Sequence, residues 1–591
     1  MQLDQDLMAV QEVRHLLQQA ADAQRRFAEF SQEQVDRVVE AVSREALAHA
    51  EELARLAVQE TGFGRVEDKI TKNTFAAREV FEDIRNLKTV GVIAEDPARQ
   101  VYEIAVPMGV VAGIIPSTNP TSTAIFKALI SLKGRNAVVF SPHPAARDCI
   151  AKTADILHAA AVLAGAPEGI IGCLRNPTLE ATEELMRHRL TAVILATGGH
   201  GLVKAAYSSG KPAFGVGPGN VPAFIERTAQ AAAAVELVLA GKCFDNGTVC
   251  ASEQAVIVDR PLLEAVRTEF TARGAHFCSP AEKRLLEAAV VQGGKINPRI
   301  VGRDAAVIAS LAGFQVPAET PCLIAELEAV GSPEPLSMEK LSPVLAFYVV
   351  DGWRAGCEKC IELLAYGGMG HSMVIHSQDQ DVIMQFALEK PAFRILANTT
   401  GTHGAIGYAT GLTPSLTLGC GTWGNNITTD NVSARHLVNI KRLAFGTRAI
   451  RFNRPAPDRP AAAPPVQPAG SALPDRDRVR SVVAQVIAEM SGSAAPAEPP
   501  PAPSAGEPPP APSAGEPPPV DNPPSTIPVE PLKPVDFVGE QEVLEAVKQN
   551  RRIIVSDRTR MTPLARDLGE QQRVFDWVED ADPDRSASRS Y

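Results

Sequence analysis

The strongest candidate for chemistry in this sequence is a cysteine in a predicted loop, Cys250. Asp245, Asn246 and Gly247 precede it and are turn-forming residues. The β-branched run at residues 255–258 follows it and predicts a strand. The thiol is therefore placed at the rim of a strand, where a loop can present it as a nucleophile. The alternative is the common role of a single cysteine, an inert packing residue in the core.

A glycine cluster is a candidate for holding a phosphate-bearing ligand. Gly198, Gly199 and Gly201 follow a predicted strand at residues 192–195 and lead into a predicted helix at residues 202–207. Bare glycines let backbone amides approach a pyrophosphate, and a helix N-terminus favours its negative charge. The spacing differs from G-x-G-x-x-G, so a purely structural turn is an equal alternative.

The elements that must position these residues are first helical and then alternate between strand and helix. Residues 1 to about 88 carry apolar residues at helical spacing, which predicts helices. Beyond about residue 102, continuous apolar runs typical of buried strands lie at residues 109–115, 137–140 and 192–195, with helical segments between them. This alternation predicts an α/β fold with a parallel sheet, whose ligands bind at the carboxyl ends of the strands.

Composition and charge exclude several classes of protein. The chain of 591 residues is 45% hydrophobic and 5% aromatic, and its net charge is −11. Without a basic stripe, this charge argues against a nucleic-acid partner. No apolar stretch approaches the length of a membrane span, and the acidic residues near the N-terminus argue against a signal peptide. We therefore expect a cytoplasmic protein.

The cysteines argue against disulfides and against a metal site. Nine cysteines at irregular spacing favour a reducing compartment. Cys357 and Cys360 form a C-x-x-C pair, but no second pair or nearby histidine completes a zinc site. Residues 354–364 look helical, which makes the pair two small residues on one helical face. No metal site is expected.

The C-terminal part of the chain has a different composition. Of 47 prolines, 24 lie at residues 455–534, which predicts a disordered, extended linker. Within it, residues 475–491 place six apolar side chains, from Val479 to Met490, on one stripe of an amphipathic helix. Residues 538–570 follow as a short helix–strand–helix module of unknown role.

Several long motifs together resemble one enzyme family. They are residues 118–127, residues 196–199 with the helix at 203–211, residues 244–253 and residues 415–421. These stretches are similar to the CoA-acylating aldehyde dehydrogenases, above all to the aldehyde dehydrogenase half of bifunctional aldehyde-alcohol dehydrogenases. The resemblance covers about residues 5–450.

The resemblance implies an α/β aldehyde dehydrogenase fold with two Rossmann-like parallel-sheet domains and a small oligomerisation element. A dinucleotide-binding domain would span residues 1–240, with oligomerisation strands near residues 100–110 and 425–450. A catalytic domain carrying Cys250 would span residues 241–424. A homodimer or a homotetramer is expected.

The resemblance also implies roles in catalysis. Cys250 would attack an aldehyde carbon to give a thiohemiacetal. The side-chain amide of Asn119 and the backbone N–H of Cys250 would stabilise the oxyanion. Transfer of a hydride to the nicotinamide would then leave an acyl-cysteine thioester. Asn119 also follows a buried strand, where a turn-forming asparagine is the structural alternative.

The group that releases the acyl chain separates the classes of aldehyde dehydrogenase. Hydrolytic members use a glutamate in an E-L-G-G-K motif as the base for water. The matching stretch here, residues 215–220, contains no carboxylate. A thiol such as coenzyme A needs less activation than water, so the absence favours an acyl-CoA product. His371 is the candidate to take a proton from Cys250 or from CoA, and a structural histidine is the alternative.

For the cofactor, the resemblance points to NAD. The implied contacts lie near the adenosine, along the pyrophosphate or nicotinamide half, and at the nicotinamide ribose. In that order they are Ser141, Pro142, His143, Thr197, Gly198, Gly199, Gly217 and Glu339. His143 stands where many relatives outside this branch have a lysine, so NADP stays open.

The tail suggests where such an enzyme works. Short amphipathic helices on flexible linkers resemble the encapsulation peptides of bacterial microcompartments. The leading hypothesis is an enzyme that oxidises propionaldehyde or acetaldehyde inside a microcompartment, with Val479–Met490 contacting a shell protein or another cargo enzyme. The alternatives are a free cytosolic acetaldehyde dehydrogenase, an enzyme of the same fold that makes a free acid or reduces an acyl phosphate, and a non-catalytic cargo or scaffold protein.

Overall fold

The computed structural model describes residues 4–450 and, with short gaps, residues 535–577. It contains two compact units, residues 1–495 and residues 496–591, and each is described by itself. The predicted proline-rich linker at residues 455–534 and the amphipathic helix within it lie outside the described residues. No helix among those described is both long and apolar enough to cross a membrane.

Four helices make up the N-terminal part of the first unit, as the helical spacing predicts. They are α1 (Gln5–Phe27), α2 (Gln32–Ala48), α3 (Ala50–Thr61) and α4 (Val66–Ile84). Ser31 begins α2 with a capping box that it shares with Gln34, and Gly62 ends α3 in the left-handed conformation. Their buried faces share one hydrophobic core with the first parallel sheet.

A three-stranded antiparallel sheet lies where the oligomerisation strands are expected. Its strands are β1 (Gly91–Asp96), β2 (Val101–Pro107) and, much later in the chain, β17 (Val438–Ala444). β2 is the central strand, and it pairs with β17 from Val101 opposite Ala444 to Pro107 opposite Val438. The outer end of β17 is exposed, as an element that could meet a second copy must be.

The first parallel sheet has five strands that alternate with helices. The strands are β3 (Val110–Ile115), β4 (Ala137–Pro142), β5 (Ile171–Cys173), β6 (Thr191–Thr197) and β7 (Ala213–Val216). The helices are α5 (Pro120–Lys133), α6 (Arg147–Leu163), α7 (Leu179–Arg187) and α8 (His200–Tyr207). The strand order is β5-β4-β3-β6-β7. β3 and β4 are buried along their whole length, as their continuous apolar sequences predict.

The second parallel sheet has seven strands. They are β8 (Val221–Ile225), β9 (Glu253–Asp259), β10 (His276–Phe277), β13 (Leu323–Glu326), β14 (Val344–Val350), β15 (Gly370–His376) and β16 (Ala392–Ala397). The order is β10-β13-β14-β9-β8-β15-β16. Alternate side chains of β9 enter two different cores. Ala255 and Ile257 belong to one core, and Val256 and Val258 belong to the other. Both faces of the sheet are therefore covered. The two-sheet α/β class predicted from the sequence is confirmed.

Helices and one small hairpin connect these seven strands. The helices are α9 (Ala231–Cys243), α10 (Leu263–Ala272), α11 (Pro280–Val290), α12 (Ala305–Ala312), α13 (Gly352–Tyr366), α14 (Gln380–Glu389) and α15 (Gly401–Ala405). The hairpin strands are β11 (Val291–Gln292) and β12 (Lys295–Ile296). Cys357 and Cys360 are both buried on α13, and all nine cysteines are free.

The boundary between the two sheets differs from the predicted one. The first sheet ends with β7 at Val216, and the next strand, β8, already pairs with β9 of the second sheet. The change of sheet therefore lies between residues 216 and 221, and the predicted boundary at residue 240 falls inside α9. Because β8 is apolar and follows a glycine-rich turn like the strands before it, the local pattern did not indicate the sheet to which it belongs.

The second unit contains the predicted helix–strand–helix order with further short strands. Its elements are β18 (Phe537–Val538), α16 (Glu540–Lys548), β19 (Ile553–Val555), β20 (Arg560–Met561), α17 (Pro563–Gln571) and β21 (Phe575–Trp577). β18 pairs with β20 and β19 pairs with β21, both in parallel. Val543, Ala546 and Val555 belong to a small buried core of this unit. The strand of the predicted module is β19, whereas the further strands β18, β20 and β21 have only two or three residues and carry too little pattern to be found in the sequence.

The turn before Cys250 has an unusual backbone. Asp245, Asn246 and Gly247 follow α9 with φ of 48°, 52° and 71°, so all three are left-handed. Asp245 is fully buried. The loop between α3 and α4 packs directly on it, since a Cβ added to Gly64 would lie 1.9 Å from Asp245 Oδ1. The N-terminal helices thus hold this turn in place.

We predict that Gly64→Ala destabilises the protein much more than Gly210→Ala. Gly64 and Gly210 have nearly the same φ, 75° and 79°, but no atom lies within 4 Å of a Cβ added to Gly210. Gly210→Ala, the control, should therefore lose only about 1–2 kcal/mol of stability, the cost of placing alanine in the left-handed conformation. Gly64→Ala must also displace a buried, ion-paired carboxylate, at a further cost on the order of 3 kcal/mol. Urea denaturation followed by tryptophan fluorescence measures both, and equal losses would contradict the packing described here.

Candidate active site

The predicted site residues meet at one cavity of about 530 Å³. It opens at the carboxyl ends of β3, β4 and β6, the position expected for a ligand of a parallel sheet. The second sheet contributes the loop before β9 and the segment before β14. Ten of the eleven predicted residues line the cavity: Asn119, Ser141, Pro142, His143, Thr197, Gly198, Gly199, Gly217, Cys250 and Glu339. The eleventh, His371, lies behind Cys250.

Cys250 and His371 form a direct pair. His371 Nε2 lies 3.3 Å from Cys250 Sγ. Burial raises the pKa of the Cys250 thiol to about 12, and the carboxylate of Glu339 adds to the rise. Burial lowers the pKa of His371 to about 3, and the cation of Arg394 adds to the fall. At neutral pH the pair therefore consists of a thiol and a neutral imidazole, and not of a thiolate and an imidazolium.

The neighbours of His371 fit both of its neutral tautomers. Arg394 Nε donates to Ser372 Oγ at 3.2 Å, and Ser372 Oγ lies 3.1 Å from His371 Nδ1. Because a hydroxyl has one hydrogen and two lone pairs, Ser372 can donate to Nδ1 or accept from Nδ1–H. In the first case Nε2 donates to the sulfur of Cys250, and in the second case Nε2 accepts from the thiol. The predicted transfer of a proton from Cys250 to His371 uses the second tautomer.

Asn119 is held on both sides of its amide. It occupies the N-cap of α5, but its side chain makes no capping bond. Its Oδ1 accepts from Lys72 Nζ at 2.6 Å. Its Nδ2 donates to Thr118 Oγ1 at 3.1 Å and to the carbonyl oxygen of Thr248 at 3.2 Å. Thr248 lies two residues before Cys250, so the N–H side of the amide faces the thiol loop.

Two buried lysines beside Asn119 were not predicted from the sequence. Lys69 and Lys72 on α4 both donate to Asp245 Oδ2, Lys69 at 2.9 Å. All three side chains are at least 97% buried. A signal was present, because the two lysines share a helical face with Ala76 and Val80, which belong to the core. Lysines on an apolar stripe indicate a buried ion pair or a functional site.

The cavity fits the dinucleotide that the resemblance implies. Thr197 Oγ1 is buried without a hydrogen-bond partner and lines the cavity, so it can accept or donate to a ligand there. Gly199 is the N-cap of α8, whose first amides point toward the cavity end of β6. Glu339 Oε1 accepts from Gly219 N at 2.9 Å, and burial raises the pKa of Glu339 to about 7. One of its oxygens is thus left for a ribose hydroxyl.

Comparison with known proteins gives the family. Residues 4–294 match the model of the aldehyde dehydrogenase family. The bifunctional aldehyde-alcohol dehydrogenase of Escherichia coli (strain K12) is 46% identical over 441 residues, which are 74% of this chain and 49% of that protein. The chain thus matches about half the length of this curated relative.

Solved structures agree over a larger share of their own length. An acetylating aldehyde dehydrogenase from Geobacillus thermoglucosidasius is 52% identical with a TM-score of 0.76, over 76% of this chain and 100% of that one. A propionaldehyde dehydrogenase from the Clostridium phytofermentans fucose utilisation bacterial microcompartment is 29% identical with a TM-score of 0.68, over 73% of this chain and 97% of that one. The chain belongs to the aldehyde dehydrogenase family, among its acylating members.

Proposed function

We propose that this chain oxidises a short-chain aldehyde, propionaldehyde or acetaldehyde, with NAD⁺ and CoA to acyl-CoA and NADH through a thioester on Cys250. The observation that carries the proposal is the position of the thiol, at a cavity shared with Asn119 and Glu339 and backed by His371. The similarity to an acetylating enzyme over its full length supports the same reaction.

In the first step, the sulfur of Cys250 bonds to the aldehyde carbon and the carbonyl electrons move to oxygen. The thiol proton passes to solvent, because Cys250 is partly exposed to the cavity. In the tautomer with the hydrogen on Nε2, His371 donates to the sulfur and stabilises the thiolate as it forms, and in the other tautomer Nε2 takes the thiol proton itself. Asn119 Nδ2 exchanges one of its two present acceptors for the oxyanion, and the backbone N–H of Cys250 is the second donor.

The cofactor side of the cavity has residues for each part of a dinucleotide. Ser141, Pro142 and His143 would hold the adenosine end, and Thr197 with Gly199 would hold the pyrophosphate or nicotinamide half. Glu339 would bind the nicotinamide ribose. NAD⁺, when bound, supplies the acceptor for the hydride of the thiohemiacetal. NADP⁺ is the competing cofactor, and a comparison of the steady-state rates with NAD⁺ and with NADP⁺ decides between the two.

Deacylation favours a thiol over water. Among the described residues that line the cavity, Glu339 alone carries a carboxylate, and one of its oxygens is bonded to Gly219 N–H. With the other oxygen of Glu339 assigned to the nicotinamide ribose, water lacks a free carboxylate base beside the thioester. CoA brings a thiol that is partly ionised near neutral pH. Its sulfur bonds to the acyl carbon, the Cys250 sulfur–carbon bond breaks, and the CoA proton ends on Cys250.

We expect Cys250→Ala to abolish acyl-CoA formation from C2 to C4 aldehydes while dinucleotide binding persists. The thiol forms the only covalent bond to substrate in the proposed mechanism, and the side chain lines the cavity and only borders the core, so its removal costs little packing. Turnover is followed as NADH and as acyl-CoA. Labelling of another cysteine by the aldehyde, or more than a trace of turnover in the variant, would contradict the assignment.

A carboxylate restored at Val216 should redirect the acyl group to water. Val216 lines the cavity. The neighbouring Gly215 is unsuited, since its Cβ would lie 2.9 Å from Val203 Cγ1 and 3.0 Å from Tyr207 Cε2. Val216→Glu should raise the ratio of free acid to acyl-CoA by about tenfold or more, as a positioned general base does. Val216→Gln is the control of equal size without a base, and an equal ratio in both variants would overturn this account of deacylation.

We further propose that the enzyme works inside a bacterial microcompartment, with the stripe Val479–Met490 as the docking helix. The similar propionaldehyde dehydrogenase of a microcompartment supports this location. The sequence spacing predicts six apolar side chains on one helical face, which would suit a reversible helix-in-groove contact.

Two charges on that stripe should free the enzyme from its compartment. Val483→Asp with Ile487→Asp is expected to end co-purification with shells while kcat and KM stay nearly unchanged, since burying a charge in a groove is unfavourable. Ser481→Asp with Gln485→Asp places the same charges on the opposite face and should leave encapsulation intact. If the first variant still co-purifies at wild-type levels, the stripe is not the docking element.

A further inference from the structure

We infer that Lys72 is a positioning residue that fixes the orientation of the Asn119 amide toward the substrate oxygen. The inference rests on the proposed function, because it concerns the stabilisation of the oxyanion formed at Cys250. No sequence motif pointed to Lys72, and it lies on α4, far along the chain from the thiol loop.

The contact itself excludes the flipped amide. Lys72 Nζ lies 2.6 Å from Asn119 Oδ1. An ammonium has donors only, so a flip would place the NH₂ group of Asn119 against three other N–H bonds. With the oxygen held by Lys72, the hydrogens of Nδ2 are donated to Thr118 Oγ1 and to the carbonyl oxygen of Thr248, and Thr248 belongs to the thiol loop. The lysine thus selects the one orientation in which Asn119 can donate to an oxyanion.

The charges of the cluster indicate that Lys72 is not required for ion pairing alone. Lys69 and Lys72 share one buried anion, Asp245. A single lysine would neutralise that carboxylate, and a second buried cation is costly. Burial lowers the pKa of Lys72 to about 8. Asp68, the other carboxylate whose charge acts on Lys72, is only half-buried and accepts the backbone N–H of Asp245. Lys72 makes two contacts that Lys69 does not make, a short one to Asn119 Oδ1 at 2.6 Å and a long one to Thr248 Oγ1 at 3.5 Å. The short contact is the one that reaches a proposed oxyanion donor.

The same contact strengthens the donor. A cation on the carbonyl oxygen of an amide draws electrons from its nitrogen, and hydrogen bonds in such a chain reinforce one another. The benefit grows as negative charge develops on the substrate oxygen. Loss of Lys72 should therefore lower kcat more than it raises KM, as expected for an interaction that is stronger in the transition state.

The test compares Lys72→Met with Lys69→Met. Both variants remove one buried ammonium from the same helix and leave Asp245 one cationic partner. They differ in their second contact: Lys69 donates to the carbonyl oxygen of Thr118, whereas Lys72 donates to the side chain of Asn119. We expect similar losses of thermal stability, but a fall in kcat of about tenfold or more for Lys72→Met and a much smaller one for Lys69→Met. Lys72→Arg, which keeps a donor, should recover part of the rate.

A double-mutant cycle with Asn119→Ala decides the mechanism. If Lys72 acts through Asn119, Lys72→Met should cost less than about twofold in the Asn119→Ala background. The same cycle is measured on acylation of Cys250 by p-nitrophenyl acetate. In this reaction the sulfur bonds to the acetyl carbon, the carbonyl oxygen becomes an oxyanion, and p-nitrophenolate leaves when the carbonyl re-forms. This second assay needs neither NAD⁺ nor CoA.

The outcomes separate this inference from the proposed function. A wild-type protein that is acylated by the ester but makes no acyl-CoA from aldehydes would refute the function and leave the inference testable in the ester assay. Additive losses in the cycle, or equal falls in kcat for both lysine variants, would refute the role of Lys72. If Lys72→Met fails to fold, the cycle with Lys72→Arg gives the same decision, since its deficit must also vanish in the Asn119→Ala background.

Discussion

A buried ion cluster on the turn before Cys250 is the constraint on which the candidate site depends. Three consecutive left-handed residues precede Cys250, and such a turn is strained wherever the residue is not glycine. Lys69 and Lys72 bind the carboxylate of Asp245 at the start of this turn. Because both lysines lie on α4, the helical layer that begins the chain fixes a residue 173 positions beyond Lys72. The same lysines reach the loop of Asn119 and so connect the two proposed oxyanion donors.

The sequence predicted the elements better than their assembly. The strands of the first sheet, the N-terminal helices and the turn before Cys250 all carry local patterns, namely apolar runs, helical spacing and turn-forming residues. The change of sheet at β8 was placed too late, because strand order depends on contacts between distant residues. Ten of the proposed site residues meet at one cavity because they end strands or occupy loops at one edge of the structure.

What the sequence did not predict are the residues that act through others. Lys69 and Lys72 carry one weak sequence signal, their position on an apolar helical stripe, and their burial shows that they are not surface residues. Arg394 lies on β16, 22 residues after Ser372 on the neighbouring strand β15, and the pairing of Ser372 with Arg394 across the parallel ladder brings them together. Such contacts follow from register, which no motif near His371 records. They matter because Ser372, itself held by Arg394, is the hydrogen-bond partner of His371 Nδ1 and so orients the imidazole toward Cys250.

The electrostatics of the cavity bear on the choice between water and a thiol. Burial holds Cys250 and His371 neutral and raises the pKa of Glu339 toward neutrality. A site that disfavours charge in all three groups also disfavours the hydroxide-like nucleophile that hydrolysis of a thioester requires. A CoA thiol enters with its own acidity and leaves with the acyl group, so the site need not create a strong base. The uncharged surroundings that make Cys250 a weak nucleophile at rest thus favour transfer of the acyl group to a thiol over transfer to water. Negative charge develops at the substrate oxygen only during attack by the sulfur, where the proposed donor Asn119 can stabilise it.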